Sequence, residues 1–414
     1  MNHFTRRGGT LFADGVSLAR IAKQVGTPTY VYSAATLRRH AQVFQKAFDS
    51  RPTLHCYAVK ANSSLAVLKL LSGQGLGFDI VSGGELSRVL EAGGRAKKVV
   101  FSGVGKTEDE MAQALRAGIL MFNIESAGEL DVLAAVAKRL KAVAPFSIRV
   151  NPHVDARTHR YIATGLKTSK FGVPVEEAVA LYEKSRALKS LRAVGVDCHI
   201  GSQLTDVKPV REAVARVASL FRTLRDAGFP LTHLDVGGGL GITYRDELPP
   251  SVGDYAAAVL APLQGLDATL VLEPGRVLVG NAGVLLTRVL YRKETPAKCF
   301  AIVDAGMNDL IRPALYGAHH DVEVVQPGKR RSTEVVDVVG PVCESSDVLA
   351  SERRLPRLAP GDLLAVKGAG AYGMSMASNY NSRPRPAEVM VDGARFRIVR
   401  RREGIADLWR DETP

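Results

Sequence analysis

The sequence is poor in cysteine and tryptophan, with four Cys and one Trp in 414 residues. Cys56, Cys198, Cys299 and Cys343 lie far apart with no CxxC pair, which fits a reduced protein better than a disulfide framework and gives no support to a thiolate metal site. Isolated thiols fit a reducing, cytoplasmic setting, and no metal is expected. Also missing are a run of about 18 apolar residues and a basic start followed by an apolar core at the N-terminus. A membrane-spanning or secreted protein is therefore not expected. The formal net charge is +13, but the basic residues are scattered, with only short clusters at Lys329-Arg330-Arg331 and Arg400-Arg401-Arg402. Neither aromatic-interleaved basic repeats nor zinc-ligand spacings accompany them, so nucleic acid is not an expected partner. The surplus serves solubility and attraction of small anions.

What is present is a regular rhythm, in a chain long enough for two domains or for one barrel with an appendage. Eight apolar strand candidates follow in order: Leu54 to Val59, Gly77 to Val81, Val99 to Ser102, Met121 to Ile124, Phe146 to Val150, Val194 to Ile200, His233 to Val236 and Thr269 to Leu272. Helical stretches separate them, among them Ser63 to Leu71, Glu85 to Ala92, Lys106 to Ala117, Ser126 to Leu140, Pro174 to Leu188 and Lys208 to Ala227. Apolar strands alternating with amphipathic helices imply parallel pairing, and eight of them predict a closed (β/α)8 TIM-like barrel. An open doubly wound sheet is the alternative. The unusual residues favour the barrel. Lys60, Asp79, Glu125, Arg149, His199, Gly237 to Gly239 and Glu273 to Arg276 fall at or just after the C-terminal ends of successive strands. In a barrel these ends share one mouth.

From Asn281 onward, short alternating strands between Gly and Pro turns replace the helices. The predicted organisation is a barrel over residues 27–280 and a second, mostly β domain over 281–414, with residues 1–26 packing on the latter.

Several short motifs carry chemistry. In Tyr57-Ala58-Val59-Lys60-Ala61-Asn62 a lysine ends an apolar strand. Its ammonium either snorkels there or has a use for its amine, such as Schiff-base formation. Gly237-Gly238-Gly239-Leu240-Gly241 lets backbone amides approach an anion, or simply makes a tight turn. It lacks the helix and acidic residue of a dinucleotide fingerprint. Glu273-Pro274-Gly275-Arg276 places a carboxylate and a guanidinium on one turn, either as a local ion pair or aimed into one pocket. His199-Ile200-Gly201-Ser202-Gln203 adds an imidazole and small polar donors. Amine, imidazole, carboxylate, glycine loop and arginine at one mouth are what pyridoxal phosphate chemistry requires.

These four motifs and Cys343-Glu344-Ser345-Ser346-Asp347 resemble, in order, those of the diaminopimelate decarboxylase family, in the alanine-racemase-like barrel class of pyridoxal phosphate enzymes. The resemblance spans nearly the whole chain. It implies that Lys60 holds pyridoxal 5'-phosphate covalently and that Glu273 keeps its pyridine nitrogen protonated. Gly239, Gly275, Ser202 and Tyr372, the last in Gly370-Ala371-Tyr372-Gly373, would hold the phosphate, with Gly238 also at the cofactor. His199 would stack on the ring, with Asp79 and Arg149 holding polar atoms near the lysine and the ring hydroxyl. Arg276 would serve both cofactor and substrate. Arg312 and Tyr316, in Arg312-Pro313-Ala314-Leu315-Tyr316-Gly317, would bind substrate with Glu344 and Tyr372, and Cys343 would reprotonate the product carbanion. The family further implies a homodimer with shared sites, turning meso-2,6-diaminopimelate into L-lysine and CO2.

The remaining alternatives are a decarboxylase for ornithine, arginine or carboxynorspermidine, a racemase, or a non-catalytic homologue. An ornithine enzyme would want an acid where Arg312 stands, and a racemase an arginine at the pyridine nitrogen. A non-catalytic homologue would usually have lost Lys60 or Cys343.

Overall fold

The structure, a computed structural model, describes residues 2–155, 170–326 and 332–413. The cluster Lys329-Arg330-Arg331 lies outside them. The chain forms two compact units, one of Ala41–Ile242 with Leu248–Val277, the other of Met1–His40, Thr243–Glu247 and Leu278–Pro414.

The first unit is a closed barrel of eight parallel strands: Thr53–Ala58, Gly77–Ile80, Val99–Phe101, Met121–Ile124, Ala144–Arg149, Leu191–Asp197, His233–Asp235 and Thr269–Leu272. Each expected strand is present. The eighth closes on the first, with Leu272 opposite His55. Closure removes both sheet edges, so the apolar runs are buried on both faces instead of alternating. Cys56, Val100, Met121, Val194 and Val271, from five of the strands, form one buried cluster.

Local sequence explains how the chain turns from strand to helix. Ser82, Thr107 and Ser126 cap the helices Gly83–Glu91, Glu108–Ala117 and Ala127–Arg139, each accepting the backbone N–H of the glutamate three residues on. At Thr107 the partner Glu110 reaches back, completing a capping box. Each such cap is worth about 1 kcal/mol and fixes where the chain leaves the strand end. The Glu129 carboxylate also takes Lys106 Nζ at 2.6 Å in a buried ion pair. Lys106 donates as well to the carbonyls of Gly103 and Asn123, both at 2.7 Å, which ties the loop after the third strand to the fourth strand.

The second unit is mostly β. Its main sheet runs Val348–Pro356, Thr333–Val339, Cys299–Val303, Gly283–Glu294, Thr29–Ser33, Ala387–Asp392, Arg395–Arg400, and Leu363–Val366 joins Gly283–Glu294 to Val322–Val324. The three strands Phe4–Arg7, Thr10–Ala13 and Val16–Ser17 form a small sheet, and they are followed by the helix Leu18–Val25. Leu11, Leu18 and Ile21 from this segment share a core with Val31, Val284, Leu286, Val389 and Val391.

The unit boundary differs from residue 27. Thr29–Ser33 is buried at every position and lies between Gly283–Glu294 and Ala387–Asp392. A strand covered on both faces has the same apolar pattern in a barrel or a sheet, so the pattern does not say which one it joins. Ser33 still caps the next helix, Ala34–Lys46, accepting the N–H of Thr36 at 3.0 Å.

Candidate active site

Lys60 lies in a single 3-10 turn, Val59–Ala61, directly after the first barrel strand. Its Nζ donates to Asp79 at 2.6 Å; the lysine side chain is 37% exposed and that of Asp79 fully buried. The lysine side chain is partly exposed, and the carboxylate that orients its amine is not.

Three further carboxylates converge from neighbouring strands. Asp197 ends the sixth strand, Asp235 ends the seventh and Glu273 follows the eighth. All three are buried, with one oxygen of each within 4.8 Å of the others. Glu273 accepts from Ser102 Oγ at 3.2 Å, Asp235 accepts from the Gly237 N–H at 3.0 Å and Asn123 Nδ2 at 3.4 Å, and Ser147 Oγ holds Asn123 Oδ1 at 2.6 Å. Oδ1 of Asp197 is buried with no hydrogen-bond partner among the described residues. Burial, then mutual repulsion, pushes all three carboxyls well above the usual range; Lys60 and Arg149 act in the opposite sense on Glu273.

Arg149 ends the fifth strand, buried and paired with Glu125 at 3.0 Å. Glu125 is itself held by the N–H groups of Gly103 and Gly172. His199 lies two residues beyond the sixth strand, and its Nδ1 accepts the Gly238 N–H at 3.2 Å. Burial among the strand ends, with Arg149 and Lys60 near, holds its pKa well below the ordinary histidine value. The ring is therefore neutral, with the proton on Nε2.

The glycine run is required by close approach. A Cβ on Gly238 would stand 2.1 Å from the Glu273 carbonyl, and one on Gly239, at φ 106°, 2.3 Å from that of Gly201. Bare backbone lets three loops meet at the mouth. Gly275 is packed less tightly, its added Cβ falling 3.2 Å from Ala58 Cβ. Arg276 is buried and donates from Nη2 to Ser202 Oγ at 3.1 Å. Gln203, next to Ser202, holds φ 59°, a left-handed backbone of the kind that collects at binding sites.

The structure thus brings together Lys60, Asp79, Arg149, His199, Ser202, Gly238, Gly239, Glu273, Gly275 and Arg276 within the barrel unit. The other expected residues lie in the β unit. Arg312 is buried at the start of the helix Arg312–Tyr316, which Tyr316 ends. Tyr372 has φ 56°. Cys343 is exposed, its N–H on Asn381 Oδ1 at 2.8 Å, and Glu344 accepts a short hydrogen bond from Tyr380.

Asp197 and Asp235 were not among the expected site residues. Each is the last residue of its strand and stands two positions before a recognised one, His199 and Gly237. An acid closing an apolar strand was the available signal.

The donor set suits pyridoxal phosphate, offering an oriented amine, a neutral aromatic ring, a carboxylate short of a cation, and a glycine, serine and arginine edge for a phosphate. A barrel with this arrangement defines the pyridoxal-dependent decarboxylase class, and the family model for the pyridoxal-binding domain of those enzymes matches residues 34–280. A diaminopimelate decarboxylase of Pseudomonas aeruginosa is 55% identical over 413 residues, covering 100% of this chain and 99% of that protein. The solved diaminopimelate decarboxylase of Helicobacter pylori, complexed with L-lysine, is 45% identical with a TM-score of 0.92, covering 95% of this chain and 98% of that one. The M. jannaschii enzyme, also in complex with L-lysine, is 38% identical with a TM-score of 0.94, covering 100% and 99%. The chain belongs to the diaminopimelate decarboxylase family.

The carboxylate cluster makes a pH-dependent prediction. A raised carboxyl keeps its proton in the folded state after the unfolded chain has lost it, so its contribution to stability falls as pH rises through about 4 toward the raised native values. Asp197→Asn removes that loss. In the cofactor-stripped protein its melting temperature should match wild type near pH 4 and exceed it near pH 8 by about 2–4 °C or more. A difference that is flat or reversed with pH would contradict the cluster's raised carboxyls.

Proposed function

We propose that the protein catalyses the pyridoxal phosphate-dependent decarboxylation of meso-2,6-diaminopimelate to L-lysine and CO2, the last step of lysine biosynthesis. The observation that carries this reading is the Lys60–Asp79 pair, 2.6 Å apart, at the mouth of a barrel that also delivers the buried Glu273. Pyridoxal phosphate, when bound, supplies an aldehyde that joins to amines and a ring that takes up the electron pair left as CO2 departs.

Lys60 would hold the cofactor through Nζ and give way to the substrate amine, while Asp79 keeps Nζ oriented. Glu273 would hold a proton on the ring nitrogen, which gives three crowded carboxylates the cation they lack. Neutral His199 offers a flat face without adding positive charge beside that proton. Arg149 would fix the ring hydroxyl from its support on Glu125. The N–H groups of Gly239 and Gly275, with Ser202 and Tyr372, would hold the phosphate, while Gly238 keeps its N–H on His199, and Arg276 lies against Ser202.

On the substrate side, Arg276 and Arg312 are two cations for carboxylates, each charge-assisted hydrogen bond contributing about 1.5–3 kcal/mol. Glu344 would meet the distal ammonium, with Tyr316 and Tyr372 donating hydroxyls, and Cys343 would return a proton to the carbon that loses CO2. Ornithine or lysine would leave Arg312 facing no carboxylate. Four free thiols suit a cytoplasmic enzyme. The family resemblance supports a homodimer in which Cys343 serves the partner's site.

CO2 release from a panel of diaminopimelate, ornithine, arginine and lysine tests the substrate. Diaminopimelate should lead by at least about 10- to 100-fold in kcat/KM, and Arg312→Ala should raise its KM and narrow the gap. Ornithine or arginine turned over at least as efficiently would promote a different basic amino acid as the substrate. The shared site is tested by mixing inactive Lys60→Ala and Cys343→Ala subunits. Random reassortment makes about half the dimers heterodimers with one intact site, so activity should return. Exchange without recovered activity would rule the shared site out.

A further inference from the structure

Arg312 opens a five-residue helix, Arg312–Tyr316, which Gly317 ends at φ 59°; the chain then passes through His319 and His320 into the strand Val322–Val324. This short return brings His320, fully buried, back onto Arg312. Arg312 Nη1 lies 2.8 Å from His320 Nε2, and His320 Nδ1 lies 2.8 Å from the Lys367 carbonyl. A guanidinium has donors only, so Nε2 must accept. A carbonyl accepts only, so Nδ1 carries the proton. The two neighbours therefore select one neutral tautomer of His320, with its lone pair aimed at the arginine.

A second contact fixes the plane of the same guanidinium. Its Cζ lies 4.5 Å from the centroid of the Tyr244 ring, and that ring meets His320 edge-on at 5.4 Å. Gly368, next to the carbonyl that anchors His320, permits this packing, because a Cβ there would be 3.2 Å from the Tyr244 ring. An imidazole nitrogen and an aromatic face together fix the orientation of the guanidinium.

We infer that His320, with Tyr244, is a positioning residue for substrate binding, holding the Arg312 guanidinium in the orientation that takes the substrate's distal carboxylate. The inference rests on the reading of Arg312 given above. It assigns a role to the His320 side chain that acts through another residue, so its loss should be felt in KM and not in the chemical step.

Steady-state kinetics of the holoenzyme with diaminopimelate tests it. His320→Leu and Tyr244→Leu should each raise KM, the former about tenfold, with kcat within about threefold of wild type. His320→Gln, whose amide oxygen can accept from Arg312, should stay within about threefold of the wild-type KM. Adding His320→Leu to Arg312→Ala should change KM less than about twofold, since the residue it positions is already gone. If Arg312→Ala raises KM while neither His320→Leu nor Tyr244→Leu does, or if the double variant loses the full product of both effects, the positioning role fails and the substrate reading stands. If Arg312→Ala leaves KM unchanged, both fail. His320→Gln serves alone if His320→Leu does not fold, and a tenfold KM loss in a Gln variant with an unchanged melting temperature would also overturn the role.

Discussion

Buried negative charge is the constraint on which the barrel mouth depends. Asp79, Asp197, Asp235 and Glu273 are all enclosed, and each would be costly to ionise without a counter-charge or donors. The fold answers in three ways. Asp79 has Lys60, Asp235 and Glu273 have hydroxyl, amide and backbone donors, and Arg149 acts on Glu273 through space while bound to Glu125. What remains uncompensated at Glu273 is suited to a protonated pyridine nitrogen. On this account the apoprotein stores an electrostatic cost that cofactor binding relieves, and the same cost sets the reaction type by favouring a ring that withdraws electrons.

In the β unit Arg312 is a buried cation oriented by a neutral imidazole and an aromatic ring. A strained backbone at Tyr372 and the Glu344–Tyr380 hydrogen bond occur in the same unit.

Much of this was legible in the amino-acid order. Eight apolar runs gave the barrel because closure makes every strand central, and Lys60, His199, Glu273 and the glycine run are exceptions to an apolar pattern at strand ends. Asp197 and Asp235 escaped notice because they are the last residues of their strands, two positions ahead of the motifs that follow them. His320 and Tyr244 escaped for another reason: their partner, Arg312, is reached through a return of the chain and a loop some seventy residues away, and no local pattern encodes that. Thr29–Ser33 could not be assigned to one sheet, since burial on both faces erases the periodicity that would distinguish them. Arg395–Arg400, at the edge of the sheet, alternates Phe396 and Ile398 with arginines, and three of its side chains are exposed.

The most direct test of the charge-compensation account is the protonation state of the cofactor's ring nitrogen. With the protein reconstituted using pyridoxal phosphate carrying 15N at the pyridine position, the account predicts a nitrogen resonance in the protonated range for wild type, moving to the unprotonated range in Glu273→Gln. An unprotonated ring in wild type, or a resonance that Glu273→Gln leaves in place, would contradict it.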